Sequence, residues 1–485
     1  MMRTAGIIAE YNPFHNGHLY HIEETRRRTE ADYIIAVISG DFVQRGGPAL
    51  LNKYVRAEMA LRCGADLVIE LPVTAALSSA ESFARGGVCL LDRLHVVDVI
   101  SCGCENASED PELFRDIVRL LSDEPEGYRH LLRAHAKTGL AFPQARELAV
   151  TEYLRTDHSD VPDLLDTTDK NHVPTPQLPG TDASEEVTDA ARFRNLPGGS
   201  GSGRSPVPCT AAFTAQDNLE ERVPHLLSSP NNILAVEYAK AIRTLSSSMD
   251  LCLIPRKGSA YHSEQLSENL SSATAIRQFL QNAENDPAAE YSRQSDTLRR
   301  NVPPAVYDTL QQAAIDGQYL LEDDFSDLLF YALTQRQTHL ADYCRGNNDL
   351  AYRIKNSLEA YTDWHGFASL LKSKNRTHTA ISRCLTHILL NLTGEDFAVS
   401  DSCGHAPYAR VLGFRRDAAP MLKEVRKRAD LPIITRPAKD FPDLTEEQKN
   451  LFSKNAQASE IYRYVLCRKS GQRLKTEFRR PLVLL

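Results

Sequence analysis

Histidines, asparagines and a glycine are concentrated near the start of the chain, in AEYNPFHNGHLYHI at residues 9–22. Gly17 lets the backbone approach a ligand closely, because glycine has no Cβ. His15 and His18 can donate hydrogen bonds to phosphate oxygens and stabilise the charge that develops there. A helix that starts at His18 directs unpaired N–H groups at the same place. These features predict a phosphate site; the alternative is a tight strand-to-helix turn with incidental histidines.

A second candidate anion site lies far downstream, in SSATAIR at residues 271–277. Hydroxyl side chains at the start of a helix, together with one arginine, make an anion clamp. The residues that would form this clamp are Ser272, Thr274 and Arg277.

The elements that must position these residues alternate between strand and helix over the first 105 residues. Apolar runs predict strands at residues 4–9, 33–38, 67–71 and 96–101, with helices at 18–30 and 53–63 between them. A later run, LCLIPRKG, is predicted to form the last strand. Continuous apolar strands separated by helices are typical of a parallel sheet covered on both faces. We therefore predict an α/β fold with a doubly wound parallel sheet, whose ligands bind at the carboxyl ends of the strands.

The remaining chain divides by composition. With 485 residues, it is too long for one ordinary core. Residues 156–223 hold twelve acidic and five basic residues and the run PGGSGSGRSP, which predicts a disordered acidic insertion. This segment has a net charge of −7, nearly all of the −8 of the whole chain. We predict one domain from 1–155 and 224–284, a helical domain at 285–400 and a basic region at 401–485.

Several function classes are not indicated by the sequence. Glu10 interrupts the first apolar run before a secretion signal can form, and no apolar segment approaches the roughly 20 residues needed to cross a bilayer. The ten cysteines lack disulfide-framework spacing, which predicts reduced thiols in a cytoplasmic protein. Cys102, Cys104, Cys403 and His405 also lack the usual zinc spacing, so we predict no metal site.

Longer strings narrow the interpretation: GIIAEYNPFHNGHLYHI, SGDFVQRGGPAL, DLVIELP, FARGGV, SPNNIL, SSATAIR and APYARVLGF. They closely resemble the bacterial tRNA-Met cytidine acetate ligase family, part of the nucleotidyltransferase superfamily with its HxGH motif. The resemblance covers residues 3–155 and 224–280 well, and the helical and C-terminal parts more thinly. It implies a Rossmann-like sheet of the nucleotidyltransferase/HUP type, followed by a mostly helical C-terminal region.

The resemblance also implies an activity. Such an enzyme activates acetate with ATP to give acetyl-adenylate and pyrophosphate, with Mg²⁺ as the expected companion of ATP. It then acetylates the N4 amine of the wobble cytidine of elongator tRNA-Met. No protein partner is indicated.

Site residues follow from the same resemblance. Gly103 would contact the nucleotide, Asn231 the adenosine part and Arg256 the phosphates, with Lys257 or Arg277 as alternatives to Arg256. His15 and His18 would stabilise the α-phosphate, and Ser272, Thr274 and Arg277 the departing pyrophosphate. The segment along which ATP would lie comprises Ile8, Ala9, Glu10, Tyr11, Asn12, Pro13, Phe14, His15, Asn16, Gly17, His18, Leu19, Tyr20 and His21.

The string SGDFVQRG after the second strand raises a separate question. Arg45 is either a solvated loop residue or a group that holds a carboxylate or a tRNA phosphate. Asp41 is a candidate to position the cytidine amine or to act as a base.

Two basic stretches in the C-terminal half are candidates for contact with tRNA. Residues 409–439 hold nine Lys or Arg against three acids, and residues 371–387 are also basic. Such runs are often only solvated helix faces, and phosphate contacts position RNA without reading its sequence. The predicted contacts are Lys372, Lys374, Arg376, Arg415, Arg416 and Lys427.

Two other functions remain open. A small-molecule adenylyl- or cytidylyltransferase would share both phosphate motifs, but it needs no long basic C-terminal half. A non-catalytic RNA-binding protein with a degenerate nucleotide fold would not need intact histidines, Gly17 and SSATAIR.

Overall fold

The computed structural model describes residues 2–156, 218–256, 273, 275–277, 298–373 and 376–485. The strands in these ranges are β1 Thr4–Ala9, β2 Tyr33–Ser39, β3 Phe42–Val43, β4 Gly47–Pro48, β5 Leu67–Leu71, β6 Val99–Cys104, β7 Asp250–Pro255, β8 Ala409–Phe414, β9 Ile433–Ile434 and β10 Val483–Leu484.

The α-helices in the same ranges fall into two groups. Those before residue 245 are α1 Asn16–Thr29, α2 Lys53–Arg62, α3 Val73–Ala76, α4 Ala80–Asp92, α5 Pro111–Asp123, α6 Glu126–Lys137, α7 Phe142–Arg155, α8 Leu219–Leu227 and α9 Pro230–Thr244. Those after residue 300 are α10 Pro304–Ile315, α11 Ser326–Gln335, α12 Leu340–Tyr343, α13 Asn348–Ser357, α14 Trp364–Leu370, α15 His378–Leu390, α16 Gly394–Ser402, α17 Ala419–Arg428, α18 Pro437–Asp440 and α19 Glu446–Ser470. Short 3₁₀ turns lie at Glu322–Phe325, Leu358–Ala360, Arg416–Ala418, Phe441–Asp443 and Glu477–Arg479.

The main sheet has the strand order β10-β8-β5-β2-β1-β6-β7, with β9 paired to β8. From β5 to β7 all neighbours are parallel. The chain first extends the sheet from β1 through β2 to β5, and then crosses to the other side of β1 to form β6 and β7. The carboxyl ends of β1 and β6 therefore form a topological switch point, where ligands bind in such sheets. The predicted doubly wound α/β fold is confirmed.

Both faces of the sheet are covered, which explains why its strands are apolar at nearly every position. In β2, Ile35 and Val37 belong to one core cluster, with α4, α5 and α9. The alternate residues Ile34 and Ile38 belong to a second cluster, with α2 and α10. A third cluster unites the helices between 326 and 397 with Phe42 of the sheet-edge loop and Tyr462 of α19.

The C-terminal region is not separate from the sheet, and the prediction that LCLIPRKG is the last strand is wrong. β8 pairs antiparallel with β5, and β10 pairs with β8. The apolar string ARVLGF carries the β8 signal, but its partner strand lies more than 300 residues earlier. Strand pairing over such a separation has no local signature, so it was missed.

Two predicted boundaries also need correction. Helix α1 begins at Asn16 rather than His18, because His15 caps it. Strand β6 runs over Val99–Cys104 rather than 96–101, because the Asp98 carboxylate accepts the amide N–H of Thr4 at 2.7 Å and the ladder starts one residue later. Gly103 therefore lies within the strand.

The C-terminal end of the predicted insertion is ordered as helix α8. Leu219, Val223, Leu226 and Leu227 are buried at helical spacing, so this part of 156–223 belongs to the core. Its apolar periodicity was masked by neighbouring charges. Residues 157–217 lie outside the described residues. No helix in the described part of the chain is long and apolar enough to cross a membrane.

Candidate active site

The loop after β1 and the start of α1 lie at the switch point. His21 of α1 contacts the Ser101 hydroxyl of β6 at 2.9 Å, and Thr25 shares that hydroxyl at 2.7 Å. These contacts fix α1 over the carboxyl end of β6. The N-terminus of α1, the positive end of the helix dipole, is thereby held at the edge where the sheet can receive a ligand.

His15 and His18 form a reciprocal cap at the start of α1. The Nδ1 of His15 accepts the backbone N–H of Gly17 at 3.1 Å, and the Nδ1 of His18 accepts the backbone N–H of His15 at 3.2 Å. The two rings stack, with centroids 3.7 Å apart and planes 21° apart. A Cβ at position 17 would press on the His15 ring at 2.9 Å, so glycine keeps this cap compact.

The cap also determines which nitrogens carry protons. An Nδ1 that accepts a hydrogen bond carries no proton in a neutral ring, so the proton of each ring is on Nε2. Burial, with Arg256 and Arg277 nearby, lowers the pKa of His15 to about 3. Burial and the neighbouring His15 and His21 lower the pKa of His18 well below its ordinary value. At neutral pH, both residues are therefore neutral Nε2–H donors.

A second group of predicted residues meets at Glu105, just after β6. The Glu105 carboxylate accepts the Asn231 side-chain amide at 2.6 Å, and lies 3.4 Å from the Arg256 guanidinium. A Cβ on Gly103 would lie 3.7 Å from the Arg256 side chain. Three residues predicted from separate strings are thus brought together at the carboxyl ends of β6 and β7. Glu105 was not predicted as a site residue, although it lies two residues after the predicted Gly103.

The rest of the predicted ATP segment lies on β1, in its loop and on the first turns of α1. Arg277 donates to the Asn12 carbonyl at 2.7 Å and lies close enough to affect His15. Asn12 in turn accepts the Leu50 amide through its side chain at 2.7 Å. The positive charges of Arg256 and Arg277 therefore flank the histidine pair. Ser272, Thr274 and Lys257 lie outside the described residues.

Arg56 connects this loop to the neighbouring strand, and the sequence did not predict it as a site residue. Its buried guanidinium donates to the carbonyls of Leu51 at 2.9 Å, Glu10 at 2.7 Å and Ser39 at 3.0 Å, and also to that of Gly40. It thereby ties the end of β1 to the end of β2. In the sequence, Arg56 lies three residues after Lys53 in a predicted helix, where an arginine is usually exposed. Its burial is visible only in the fold.

The residues after β2 lead to a buried ionic cluster. The Asp41 carboxylate accepts the backbone N–H of Lys53 at 2.7 Å. The Lys53 ammonium lies 2.8 Å from Glu70 and 3.1 Å from Glu477. Although burial disfavours the ammonium, these two carboxylates raise the pKa of Lys53 above its ordinary value. Arg410 completes the cluster at 3.2 Å from Glu477.

The predicted tRNA contacts lie on several different elements of the fold. Because β8 is antiparallel to β5, Arg415 and Arg416 follow the end of β8 at the amino edge of the parallel strands, opposite the ATP loop. Arg376 pairs with Asp349 at 3.2 Å, while Lys372 and Lys427 are exposed. Lys374 lies outside the described residues.

The described residues show no group of three or more His, Cys, Asp or Glu side chains able to hold a metal ion. Nine cysteines are described, and each is a free thiol. Among these, Cys102 and Cys104 are buried in β6.

Comparisons with known proteins bear on the same architecture. A model described as HIGH Nucleotidyl Transferase matches residues 2–477. The chain is 32% identical to the tRNA(Met) cytidine acetate ligase of Thermoanaerobacter sp. (strain X514), with 100% of each chain covered. It is 33% identical to that of Caldanaerobacter subterraneus subsp. tengcongensis, again over 100% of both chains. The chain belongs to the tRNA(Met) cytidine acetate ligase family.

Solved structures agree with this assignment. The crystal structure of Thermotoga maritima TmcAL bound with alpha-thio ATP is similar, with a TM-score of 0.78, 26% identity and 100% of each chain covered. The apo structure of the same protein gives a TM-score of 0.80 with the same coverage and identity. The predicted family, fold and ligase class are confirmed. The roles of individual residues stay predictions.

Proposed function

We propose that this chain is an ATP-dependent ligase that forms acetyl-adenylate and transfers the acetyl group to the N4 amine of the wobble cytidine of elongator tRNA-Met. The observation that carries the proposal is the pair of neutral Nε2–H donors at the switch point, flanked by Arg256 and Arg277. Its relative from Thermotoga maritima, similar over the whole chain, was crystallised with alpha-thio ATP.

In the first step, a carboxylate oxygen of acetate attacks the α-phosphorus of ATP. The bond from that phosphorus to the bridging oxygen breaks, and pyrophosphate leaves with the bonding electrons. His15 and His18 donate from Nε2 to the α-phosphate oxygens, whose charge rises in the transition state. Arg256 and Arg277 offset the charge of the departing pyrophosphate. Ser272 and Thr274 are proposed to assist there.

The adenosine part of ATP lies beside β6 and β7 in this proposal. Gly103 leaves room for the nucleotide, and Asn231 reaches it from the first turn of α9. Since Asn231 is held by Glu105, that carboxylate is a positioning residue for the same contact. Mg²⁺ accompanies the triphosphate in this proposal, with no protein ligand assigned.

In the second step, the N4 amine of the cytidine attacks the acetyl carbon, AMP leaves, and the amine loses one proton. The exposed Lys372 and Lys427, with Lys374, Arg376, Arg415 and Arg416, are proposed contacts to tRNA phosphates at this stage. Free thiols are typical of proteins in a reducing compartment, which supports a cytoplasmic location.

The test separates the two nitrogens of His18. In His18→Gln the amide nitrogen lies near the position of Nε2 and can still donate, whereas His18→Asn keeps only the capping acceptor near Nδ1. We expect the rate of acetate-dependent ATP–pyrophosphate exchange to fall about 100-fold in His18→Asn, as for loss of one transition-state donor. In His18→Gln the rate should fall by no more than about 10-fold, because the amide can still donate. His130→Asn, at an exposed histidine of α6, is the matched control.

Two results would contradict the assignment. Equal exchange in all three variants would remove the histidine pair from the chemistry. Better exchange in His18→Asn than in His18→Gln would assign His18 to helix capping alone. Mass spectrometry of digested tRNA, incubated with native protein, ATP and labelled acetate, then identifies the acceptor. Pyrophosphate without N4-acetylcytidine would favour the small-molecule transferase.

A further inference from the structure

A single residue of the β3–β4 hairpin connects an arginine of the helical region to the ATP loop. Arg383 of α15 donates to the Gln44 carbonyl at 3.2 Å, and the Gln44 N–H donates to the Glu10 carboxylate at 2.7 Å. The Arg383 guanidinium is therefore held next to the edge of the sheet where ATP is proposed to bind.

The hairpin packs directly on α15, which fixes this position. Gly46 in the hairpin turn has a φ of +85°, and a Cβ there would overlap the backbone nitrogen of Arg383 and the carbonyl carbon of Ser382. Phe42, at the start of the hairpin, belongs to the same hydrophobic cluster as Leu385 of α15. Backbone contact and a shared core thus keep Arg383 beside the hairpin.

Arg345, which follows α12, lies near the Arg383 guanidinium. The Arg345 guanidinium is 4.6 Å from the centre of the Phe397 ring, and that ring packs against the ring of His387, with centroids 4.9 Å apart. His387 follows Arg383 by about one turn of α15. Burial lowers the pKa of His387 to about 4, and both arginines contribute. The two guanidinium groups therefore lie around the same part of α15.

The pair has no carboxylate partner in the part of the chain that the structure describes. The buried Arg56 donates to four carbonyls. By contrast, among the described residues the Gln44 carbonyl is the one acceptor of Arg383, and Arg345 forms no ion pair. Burial and the charge of Arg345 lower the pKa of Arg383 to about 10, so the group stays charged at neutral pH although its surroundings disfavour the charge. An anion bound beside both guanidinium groups would remove that disadvantage.

The position of the pair favours an RNA phosphate over the phosphates of ATP. The switch point lies between β1 and β6, whereas the hairpin follows β2 on the other side of β1. Arg345 is exposed, so the pair is open to a polymer that stays outside the site. Arg376, one of the predicted tRNA contacts, donates to the side chain of Asn347 at 2.6 Å, two residues after Arg345. The pair therefore extends the basic surface of the helical region towards the ATP loop.

We propose that Arg345 and Arg383 bind a backbone phosphate of the acceptor RNA, beside the edge where acetyl-adenylate forms. The inference rests on the proposed function, because it identifies where the strand is held while its cytidine meets acetyl-adenylate. Guanidinium groups bind phosphate oxygens through parallel hydrogen bonds, and such contacts position RNA without reading its sequence. The Gln44 carbonyl orients the Arg383 guanidinium for this contact.

Equilibrium binding at several salt concentrations tests the pair, with the full chain as protein and an unmodified tRNA-Met transcript as probe. We expect Arg383→Gln to weaken binding about tenfold, as for loss of a hydrogen bond to a charged group. Arg345→Gln should weaken it about threefold, because Arg345 is exposed and solvent screens its charge. The double variant should reduce the slope of log K against log salt by roughly 0.7–0.9, the value for one phosphate contact.

Arg133→Gln, at an exposed arginine of α6, is the matched control. Arg345→Gln removes no side-chain hydrogen bond within the described residues, so its result does not depend on the hairpin contact. Affinities equal to that of the control would overturn the proposal. A weaker affinity with an unchanged salt slope would also overturn it, because Arg383 would then only hold the hairpin.

Two further outcomes separate this inference from the proposed function. If the tRNA affinity is unchanged and the KM for ATP rises in pyrophosphate exchange, the pair serves the triphosphate, and the RNA assignment is wrong. The binding measurements need no turnover. If they give the expected differences but the native protein forms no N4-acetylcytidine, the proposed function fails and the phosphate site stands.

Discussion

Replacing Arg56 by lysine tests whether the ATP loop depends on the guanidinium fork or only on its charge. The guanidinium reaches four backbone carbonyls, two of which, from Glu10 and Ser39, follow or end the central strands β1 and β2. A lysine ammonium has a single nitrogen and reaches at most two of those oxygens. At least two buried carbonyls then lose their donor, at about 1–3 kcal/mol each. We expect Arg56→Lys to lower the free energy of unfolding by about 2–6 kcal/mol.

The effect should also reach the chemistry, because the Glu10 carbonyl belongs to the segment along which ATP is proposed to lie. Acetate-dependent ATP–pyrophosphate exchange, measured well below the unfolding temperature, should show a raised KM for ATP. Arg62→Lys on the same helix is the control, since Arg62 makes an exposed pair with Glu58 at 2.7 Å. If Arg56→Lys and Arg62→Lys have the same free energy of unfolding in urea and the same KM for ATP, the Arg56 guanidinium has no such role.

Three further predictions concern stability. His15, with its pKa lowered to about 3, stays neutral in the folded protein, whereas in the unfolded chain it takes up a proton below about pH 6.5. The free energy of unfolding should therefore fall as the pH drops below 6.5, by about 2 kcal/mol at pH 5 from this residue. Urea unfolding of His15→Gln at pH 7.5 and 5.0 should lack this contribution to the pH dependence. Gly46→Ala would place a Cβ against a backbone nitrogen of α15, whereas a Cβ at Gly139, which has the same φ of +85°, meets nothing within 4 Å. We expect Gly46→Ala to lower Tm clearly more than Gly139→Ala does. Equal decreases in Tm would contradict the close contact at Gly46. Lys53→Met leaves the buried Glu70 carboxylate without its cation, and leaves Glu477 with Arg410 alone, so it should cost about 3–5 kcal/mol. Lys449→Met, at an exposed pair, should change little in the same unfolding assay.

Local signals predicted the elements around the histidine pair well. The strand, loop and helix around His15 and His18 are contiguous in sequence, so apolar runs and a glycine are enough to place them. Even here, the start of α1 was placed two residues late, because histidine is an unusual capping residue. Gly103, Asn231 and Arg256 came from the family resemblance, and the structure brings them together at Glu105.

Long-range pairing limited the rest. The buried pair of Glu70 and Arg410 joins strands separated by about 340 residues, and in sequence both residues have the composition of surface positions. The net charge of the whole chain also concealed its local distribution. The acidic insertion offsets the basic C-terminal half, and the basic residues at 471–480 were not among the predicted contacts. Only the fold shows that Arg415 lies at one edge of the sheet, whereas residues 474–480 lie beside Asp41 at the opposite edge.

The order of the strands suggests how one edge can serve two reactions. The histidine pair and the Glu105 group lie at the switch point between β1 and β6, where we propose that the nucleotide binds. On the other side of β1, β8 pairs antiparallel with β5, so β8 begins at the carboxyl edge of the parallel strands, with Arg410 beside Glu70. A small nucleotidyltransferase has no need for this addition, because its acceptor diffuses in alone. A polymeric acceptor, as in the proposed function, has to be supported outside the site, and we propose that the chain around β8, which returns to the sheet beside β5, provides that support.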